Sequence, residues 1–304
     1  MSTAMLVALP ERGVVKVDGA DASKFLQGLI TNDMERIGAS GDAIHAGLLS
    51  PQGKILFEFF VVGTDQGYLL DVARDKAVDL AKRLAMYRLR ADVAIAEVSD
   101  RYRIFAFFGD QRDAHSGRLA TPRFVDPRLP ELGQRLISDA AKSDDVETAI
   151  SATIAPASAY QAHRISLGIP EGGVDYEFGD AFPHEANFDL FNGVSFSKGC
   201  YVGQEIVARM HNKSVVRKRV TPISGTTALT PGASVLIGDV AIGRVGSVDG
   251  RAALAMLRLD RAVEAQDRAI QLKSNDVAIT ADAAVLDRYR RSTSTQRASS
   301  DLPS

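Results

Sequence analysis

The stretch Ser197-Lys198-Gly199-Cys200-Tyr201-Val202-Gly203-Gln204-Glu205 concentrates more reactive side chains than any other part of the chain. It holds the only cysteine of the 304 residues, a lysine two positions before it and a glutamine-glutamate pair behind it. Upstream, Gly193-Val194-Ser195-Phe196 reads as a short strand; downstream, Val202, Ile206 and Met210 recur at helical spacing, so Gly199 is expected at a strand-to-helix turn. A cysteine in that place lies near unpaired amides and the positive end of a helix dipole, both of which favour the thiolate, and Lys198 adds charge in the same sense. Cys200, Lys198 and Glu205 are the catalytic candidates. The competing reading of Cys200 is a small buried hydrophobe, as most free cysteines are.

Other reactive groups are scattered. His184 with Cys200, and Glu185 with Glu205, invite a metal reading, yet no Cys-x-x-Cys or His-x-x-x-His spacing supports one. One cysteine cannot hold an iron-sulfur cluster alone. A single cysteine also cannot form an intramolecular disulfide, which suits a reducing compartment. With 36 Lys and Arg against 38 Asp and Glu, the formal charge of -2 provides no global field to recruit nucleic acid or membrane. No apolar run approaches the roughly 20 residues of a membrane span, and Met1-Ser2-Thr3-Ala4 lacks a charged leader region. The expectation is a soluble cytoplasmic monomer, or a matured organelle protein, in the mitochondrial matrix if the source is a eukaryote.

The elements that must position these groups follow in order. Gly13 to Val17 reads as a strand, then a short amphipathic helix from about Ala20 carries Phe25, Leu26 and Leu29, and Thr31-Asn32-Asp33 breaks it. Ala43 to Leu49 and Lys54 to Val62 form an antiparallel hairpin about Ser50-Pro51-Gln52-Gly53. Its second strand carries Glu58 among Phe57, Phe59 and Phe60, either at a partly exposed edge or as a pocket acid. Tyr68 to Ala73 is a strand, Val78, Ala81, Leu84, Ala85 and Arg88 mark a helix, and Asp92 to Val98 and Tyr102 to Phe108 are strands. Residues 110 to 146 read as solvated loop, with Arg118, Arg123, Arg128 and Arg135 interspersed with acids. A helix interrupted near Pro156 then runs from about Asp144 to Arg164, and Gly172 to Gly179 is an acidic loop. After Arg219, short strands at 234–237, 240–245, 252–259 and 277–279 predict a compact β-barrel over 220–287, followed by an unstructured tail, 288–304. The fold class is α+β, with a ferredoxin-like sandwich in a region spanning 1–219.

Lys198-Gly199-Cys200-Tyr201-Val202-Gly203-Gln204-Glu205 resembles the signature of the YgfZ family, folate-binding iron-sulfur assembly factors related to the glycine-cleavage T-protein, an aminomethyltransferase. The likeness extends through Arg164-Ile165-Ser166-Leu167-Gly168-Ile169-Pro170, Pro183-His184-Glu185-Ala186-Asn187, Ala208-Arg209 and Arg217-Lys218-Arg219, and back to Gly19-Ala20-Asp21, Phe25-Leu26-Gln27-Gly28 and Thr31-Asn32-Asp33. The resemblance implies a two-lobed T-protein-like region over 1–219. It also implies tetrahydrofolate or a derivative as ligand, and transient iron-sulfur client or assembly proteins as partners. It brings Tyr160, Arg164, Glu185, Asn32 and Glu58 forward as folate-binding candidates: tyrosine to stack on a pterin, arginine to pair with a carboxylate. T-proteins carry paired aspartates where this chain reads Phe57-Glu58, so one carboxylate is kept in lengthened form and an aromatic ring replaces the other. The family often lines the cavity with tryptophan; this chain has none. Two function classes follow. One is an accessory factor for assembling or repairing iron-sulfur proteins through Cys200, with no standard turnover reaction; the other is a tetrahydrofolate-dependent aminomethyl transferase. The cysteine motif favours the first.

Overall fold

The computed structural model describes residues 4–110, 121–213 and 215–300, with side chains to residue 293; Arg118 and residues 301–304 lie outside the described residues. The chain divides into two compact units and passes between them three times, unit 1 comprising 1–160 with 191–204 and unit 2 comprising 161–190 with 205–304. The barrel region thus shares its unit with two segments expected in the N-terminal region.

Unit 1 carries strands β1 (Met5–Ala8), β2 (Arg12–Asp18), β3 (Ala43–Leu49), β4 (Ile55–Thr64), β5 (Gly67–Ala73), β6 (Ala94–Glu97), β7 (Tyr102–Phe108), β8 (Arg123–Val125), β9 (Gln134–Asp139) and β10 (Thr153–Ile154). Its helices are α1 (Ala22–Gln27), α2 (Arg74–Tyr87), α3 (Ser143–Ala149) and the start of α4 (Ala157–Ser166). Two five-stranded sheets form, in the orders β3-β4-β5-β2-β6 and β10-β1-β7-β9-β8. The expected hairpin is present, with Leu48 opposite Phe57 and His45 opposite Phe60. Alternation on β4 sends Phe57, Phe59 and Val61 into a core with Leu26 of α1 and Ala77, Leu80 and Leu84 of α2. Ala77 and Leu80 replace the expected Val78 on the buried face of α2, and Val78 is exposed. Glu58 belongs to an interior strand, since β3 and not β4 is the sheet edge.

The opposite faces carry charge. On β5, Leu70 and Val72 enter the first core, so Asp71 between them faces the other way. On β9, Leu136 joins a second core with Leu6, Phe105, Phe107, Val146 and Ile150, which turns Arg135 to the opposite face. Arg135 Nη1 donates to Asp71 Oδ2 at 2.8 Å and its Nε to Asp126 Oδ2 at 3.1 Å, while Arg128 chelates Asp126 and Arg12 Nε donates to Asp71 at 2.6 Å. Arg12, Arg128 and Arg135 stand 5.8, 4.9 and 4.4 Å from the Phe60 ring centroid. The solvated-loop reading of Arg128 and Arg135 is corrected: both are buried, because two buried carboxylates demand counter-charge. Burial alone would raise Asp126, but Arg128 and Arg135 hold its carboxyl well below the usual range.

Unit 2 closes β11 (Lys218–Gly225), β12 (Ser234–Ile237), β13 (Val240–Asp249), β14 (Ala252–Arg258), β15 (Leu272–Ser274) and β16 (Val277–Ala281) into a barrel in the order β11-β14-β13-β12-β15-β16. It also carries the end of α4, most of α5 (Gln204–Lys213), α6 (Leu259–Asp267) and α7 (Ala283–Ser300). The barrel is filled by Val235, Val245, Ala255, Leu257 and Ile279. Residues 288–300, expected as unstructured tail, continue α7. Leu286 and Tyr289 pack on the barrel core and Arg290 reaches Asp267 at 2.6 Å and Asp287 at 2.9 Å.

Replacing Arg135 by Ala leaves Asp71 with Arg12 and Asp126 with Arg128 but removes one buried charge-assisted partner from each, so a loss of about 1–3 kcal/mol in stability is expected, measured by urea unfolding followed by circular dichroism. A loss below about 1 kcal/mol, the range of an exposed pair, contradicts the buried-cluster assignment.

Candidate functional site

The site in unit 1 is built where the segment 191–204 crosses the hairpin and the turn after α1. Thr31 Oγ1 donates to the Gly193 carbonyl at 2.6 Å and accepts from Gly47 N at 2.8 Å. Asn32 Nδ2 donates to the carbonyls of His45 and Asn192 at 2.7 and 2.6 Å, and Asn32 Oδ1 accepts from Asp33 N at 2.8 Å. Asn32 is fully buried and both its amide protons are used internally. The site role that the resemblance implied for it becomes one of tying two segments together. Ser195 N donates to the Thr31 carbonyl at 3.0 Å, so Gly193–Phe196 is held against the turn but is not a strand.

Lys198 completes the tie. Its ammonium donates to the carbonyls of Gln27, Ile30 and Asn32 at 2.7, 2.8 and 2.7 Å. The first belongs to the last residue of α1 and the other two to the turn that follows it, and a cation there also meets the negative end of the helix. Burial pushes the ammonium down to about 8 against the opposing pull of Asp33. All three Lys198 protons are engaged away from the thiol, and α5 starts at Gln204, four residues beyond Cys200. The expected place of Cys200 at the start of the helix is thus corrected to a loop that precedes it, and Lys198 is hydrogen-bonded to the turn after α1.

Cys200 is exposed, which removes the buried-hydrophobe reading. Its loop is pinned at both ends. Lys198 holds one; at the other, Gly203 adopts φ 82° against the hairpin turn, where an added Cβ would lie 2.6 Å from the Ser50 carbonyl. Gln204 Oε1 accepts from Tyr201 N at 3.1 Å, and the Tyr201 ring lies 5.1 Å from the Lys198 ammonium.

Glu58 and Tyr160 are each linked to the surroundings of Phe60 through a neighbour, Glu58 through His45 and Tyr160 through Arg128 and Arg135. Glu58 Oε1 lies 2.9 Å from His45 Nε2, and His45 Nδ1 lies 3.0 Å from the Phe191 carbonyl. A carbonyl only accepts, so Nδ1 carries a proton, and the Nε2 to Glu58 contact requires one more proton between them. The His45 ring is 5.6 Å from Phe60, the ring near which the three arginines stand. Tyr160 Oη accepts from Arg128 and Arg135 at 3.1 and 3.0 Å, and its ring is buried against Phe108.

The remaining candidates belong to unit 2. Arg164 is buried and its guanidinium bonds Gln161, the Ile169 carbonyl, Asp175 at 2.9 Å and Ser247 at 2.6 Å. Its expected pairing with a ligand carboxylate is corrected: Asp175 of its own unit takes that place. Glu185 accepts from Phe182 N at 2.9 Å and so closes its own turn. Glu205 is exposed in the first turn of α5, where a carboxylate suits the dipole. Among the described residues no group of three or more His, Cys, Asp or Glu is placed to hold a metal, and no helix is long and apolar enough to cross a membrane.

Residues 217–284 match the family of CAF17 C-terminal beta-barrel domains. The iron-sulfur cluster assembly factor IBA57, mitochondrial, of Homo sapiens is 32% identical over 274 residues, covering 82% of this chain and 76% of its own. The chain belongs to the IBA57 family. The homologous factor of Mycosarcoma maydis is 35% identical over 76% of this chain, and that of Neurospora crassa 33% over 71%. The chain spans 59% and 53% of the length of those two fungal IBA57 relatives. In three dimensions it is similar to the glycine cleavage system aminomethyltransferase T from Bartonella henselae, with a TM-score of 0.74, 13% identity, and coverage of 94% of this chain and 86% of that one. The T-protein architecture read from the motifs is therefore present, and the relatives carry the IBA57 name rather than the YgfZ one.

In this IBA57-family chain the residues missed by sequence reasoning are His45, Phe60, Asp71, Asp126, Arg128 and Arg135. The hairpin register held the signal for His45: with Leu48 opposite Phe57, it falls opposite Phe60, one pleat from Glu58 on the same face. No local pattern marks the other charges.

His184 carries a pH prediction. It is buried in unit 2, its ring 6.1 Å from that of His211. Burial, with Arg219 and His211 adding to it, pushes the imidazole from its usual 6.5 to about 4 against the pull of Asp189. Between pH 6.5 and 4 the unfolded chain takes up a proton that the folded one refuses, so stability is full above 6.5 and is lost as pH falls toward 4. The expected loss is about 3 kcal/mol, read as a falling urea midpoint, and His184→Gln should flatten that limb. An unchanged slope in the variant removes His184 as the cause.

Proposed function

We propose that the protein is an accessory factor for assembling or repairing iron-sulfur proteins, and that it acts through Cys200. One observation carries the reading: the only cysteine is exposed on a loop held by the three carbonyl bonds of Lys198 and by the Gly203 contact. Anchoring of this kind keeps the thiol in one place at little entropic cost on meeting a partner. A lone thiolate offers one ligand, so a cluster that touches it needs its other ligands from the client or assembly protein. The IBA57 kinship supports the same reading.

We further infer that a reduced folate is the small-molecule ligand. Support comes from the T-protein architecture and from Glu58, the carboxylate kept in place of the T-protein pair and oriented by His45. Arg164 and Asn32 do not fit as ligand contacts, because their donors are spent within the protein. Glu58 would supply the acid and His45 would hold its proton, with the buried arginine cluster behind Phe60 adding positive field.

Cys200→Ser is expected to keep the fold but fail to restore cluster-dependent enzyme activity in a host lacking its own family member, while Glu58→Gln restores part of it. Full restoration by Cys200→Ser, together with aminomethyl transfer that depends on Glu58, would favour the transferase class. Tetrahydrofolate should release or absorb heat in calorimetry and raise the melting temperature as its concentration exceeds the dissociation constant. Neither heat nor shift rejects the folate assignment and leaves the thiol reading intact.

A further inference from the structure

A cavity of about 340 Å³ lies within unit 2, between the acidic loop that follows Pro170 and the outside of the barrel. Residues 174–177, 180 and 181 of the loop form one wall, and strands β11, β13 and β14 form the other.

The barrel wall follows from strand alternation. Ala255 and Leu257 of β14 enter the barrel core, so Met256 and Arg258 face outward. Register then sets Arg244 of β13 opposite Met256 and Lys218 of β11 opposite Arg258, and directly opposed residues share a face. Three cations therefore stand around Met256. Lys218 and Arg258 are a directly opposed pair of like charge, an arrangement that repels unless an anion lies between.

The loop wall is fastened at the back. Asp175 accepts from Ser247 N at 2.7 Å, from Ser247 Oγ at 3.1 Å and from Arg164 at 2.9 Å. It comes so near Gly246 that a Cβ there would collide with it. Between this staple and the mouth the lining is apolar, since Tyr176, Ala181, Ile242 and Met256 all border the cavity and are otherwise buried. Their open sides lack partner atoms, and an apolar body placed there would restore those contacts.

The charges of the lining are Lys218, Arg244 and Arg258 against Asp175, Glu177 and Asp180. Arg164 answers Asp175 at the staple, and Glu177 meets Arg244 at 3.0 Å in an exposed pair. Asp180 stands 3.5 Å from Lys218, long for a hydrogen bond and open to water, so this pair is easily exchanged. Asp260, outside the lining, takes Nε and Nη2 of Arg258 at 3.2 and 2.7 Å, and Nη1 has no hydrogen-bond partner among the described residues. Lys218 and Arg258 thus keep donors for a further acceptor on the face that they share.

We propose that this cavity binds a small monocarboxylic acid with an apolar body, aryl or branched alkyl, whose carboxylate lies between Lys218 and Arg258 and whose body covers Met256 and Tyr176. Apolar walls with a few convergent polar groups are the usual make-up of small-ligand sites, and the volume falls within their range of roughly 300–1,000 Å³. The inference draws on no residue of the Cys200 loop or of the His45-Glu58 pair.

The test follows the Met256 methyl resonance in the full chain labelled at its methionine methyls, the peak being assigned by its loss in Met256→Leu. Hydrocinnamate and isocaproate are the acid probes; hydrocinnamamide and propionate lack the charge and the apolar body in turn. Saturable shifts are expected with both acids, at least about tenfold weaker binding with the two controls, and affinity that falls as salt rises. Lys218→Gln and Arg258→Gln should each weaken the acids about tenfold with little change in the melting temperature of the unliganded chain. Asp180→Asn, which removes the competitor for Lys218, should tighten them, and a merely structural role would not move affinity in both directions. No saturable shift with either acid at millimolar concentration, an amide held as tightly as its acid, or equal affinity across the variants overturns the proposal.

Discussion

A chain that turns inside a protein leaves carbonyls without donors, and here one ammonium serves the last residue of α1 and the turn that follows it. Lys198 donates three bonds of 2.7–2.8 Å to Gln27, Ile30 and Asn32. Charge-assisted bonds of this length are the strong kind, and losing the cation would leave three acceptors to find other partners. The tie reaches across more than 160 residues of sequence and fixes where segment 191–204 must run. Gly203 against Ser50 completes the path, and Cys200 is left between the two anchors with its side chain exposed. The lysine two residues before the thiol thus holds the loop that carries it.

A second constraint organises the rest of unit 1. Its two sheets bury ordinary apolar cores on their helix-covered faces, while Arg12, Arg128 and Arg135 with Asp71 and Asp126 form a charged layer around Phe60. Such a layer stabilises little over a hydrophobic replacement, but it penalises any arrangement that leaves one member unpaired. Tyr160 and His45, with Glu58 bonded to it, adjoin that layer, so their placement follows from pairing rules rather than from loose packing.

The T-protein architecture and the IBA57 kinship concern different properties of the molecule. The architecture, shared at 13% identity with an aminomethyltransferase, is a scaffold. Function resides in what the scaffold carries, and here it carries an exposed Cys200 and a carboxylate, Glu58, paired with His45. Unit 2 is built on different physics. Its six-stranded closure leaves no free sheet edge, and Arg164 ties segment 161–175 to Ser247 of the barrel through bonds that leave its guanidinium fully used.

The sequence by itself determined the elements whose signals are local. The hairpin about Ser50–Gly53, helix α2, most barrel strands and the absence of a metal-binding spacing all follow from period, turn residues and residue counts. The motif block around Cys200 likewise marked the loop on which the proposed function rests. What the tertiary structure decided were the partners of charged and polar side chains. Arg128 and Arg135 read as solvated because neighbouring acids mask them in sequence, yet burial beside Asp71 and Asp126 makes them interior groups. Lys198 looked like an activator because it is two residues from Cys200, whereas its partners lie at 27, 30 and 32. Arg164 looked free for a ligand until Asp175 and Ser247 took its protons. Residues 288–300 lacked a helical pattern strong enough to call for order, and the helix is supplied by packing of Leu286 and Tyr289 on the barrel. A side chain's charge is a local property, but its partner is chosen by the fold, because only burial makes an unpaired charge too costly to leave.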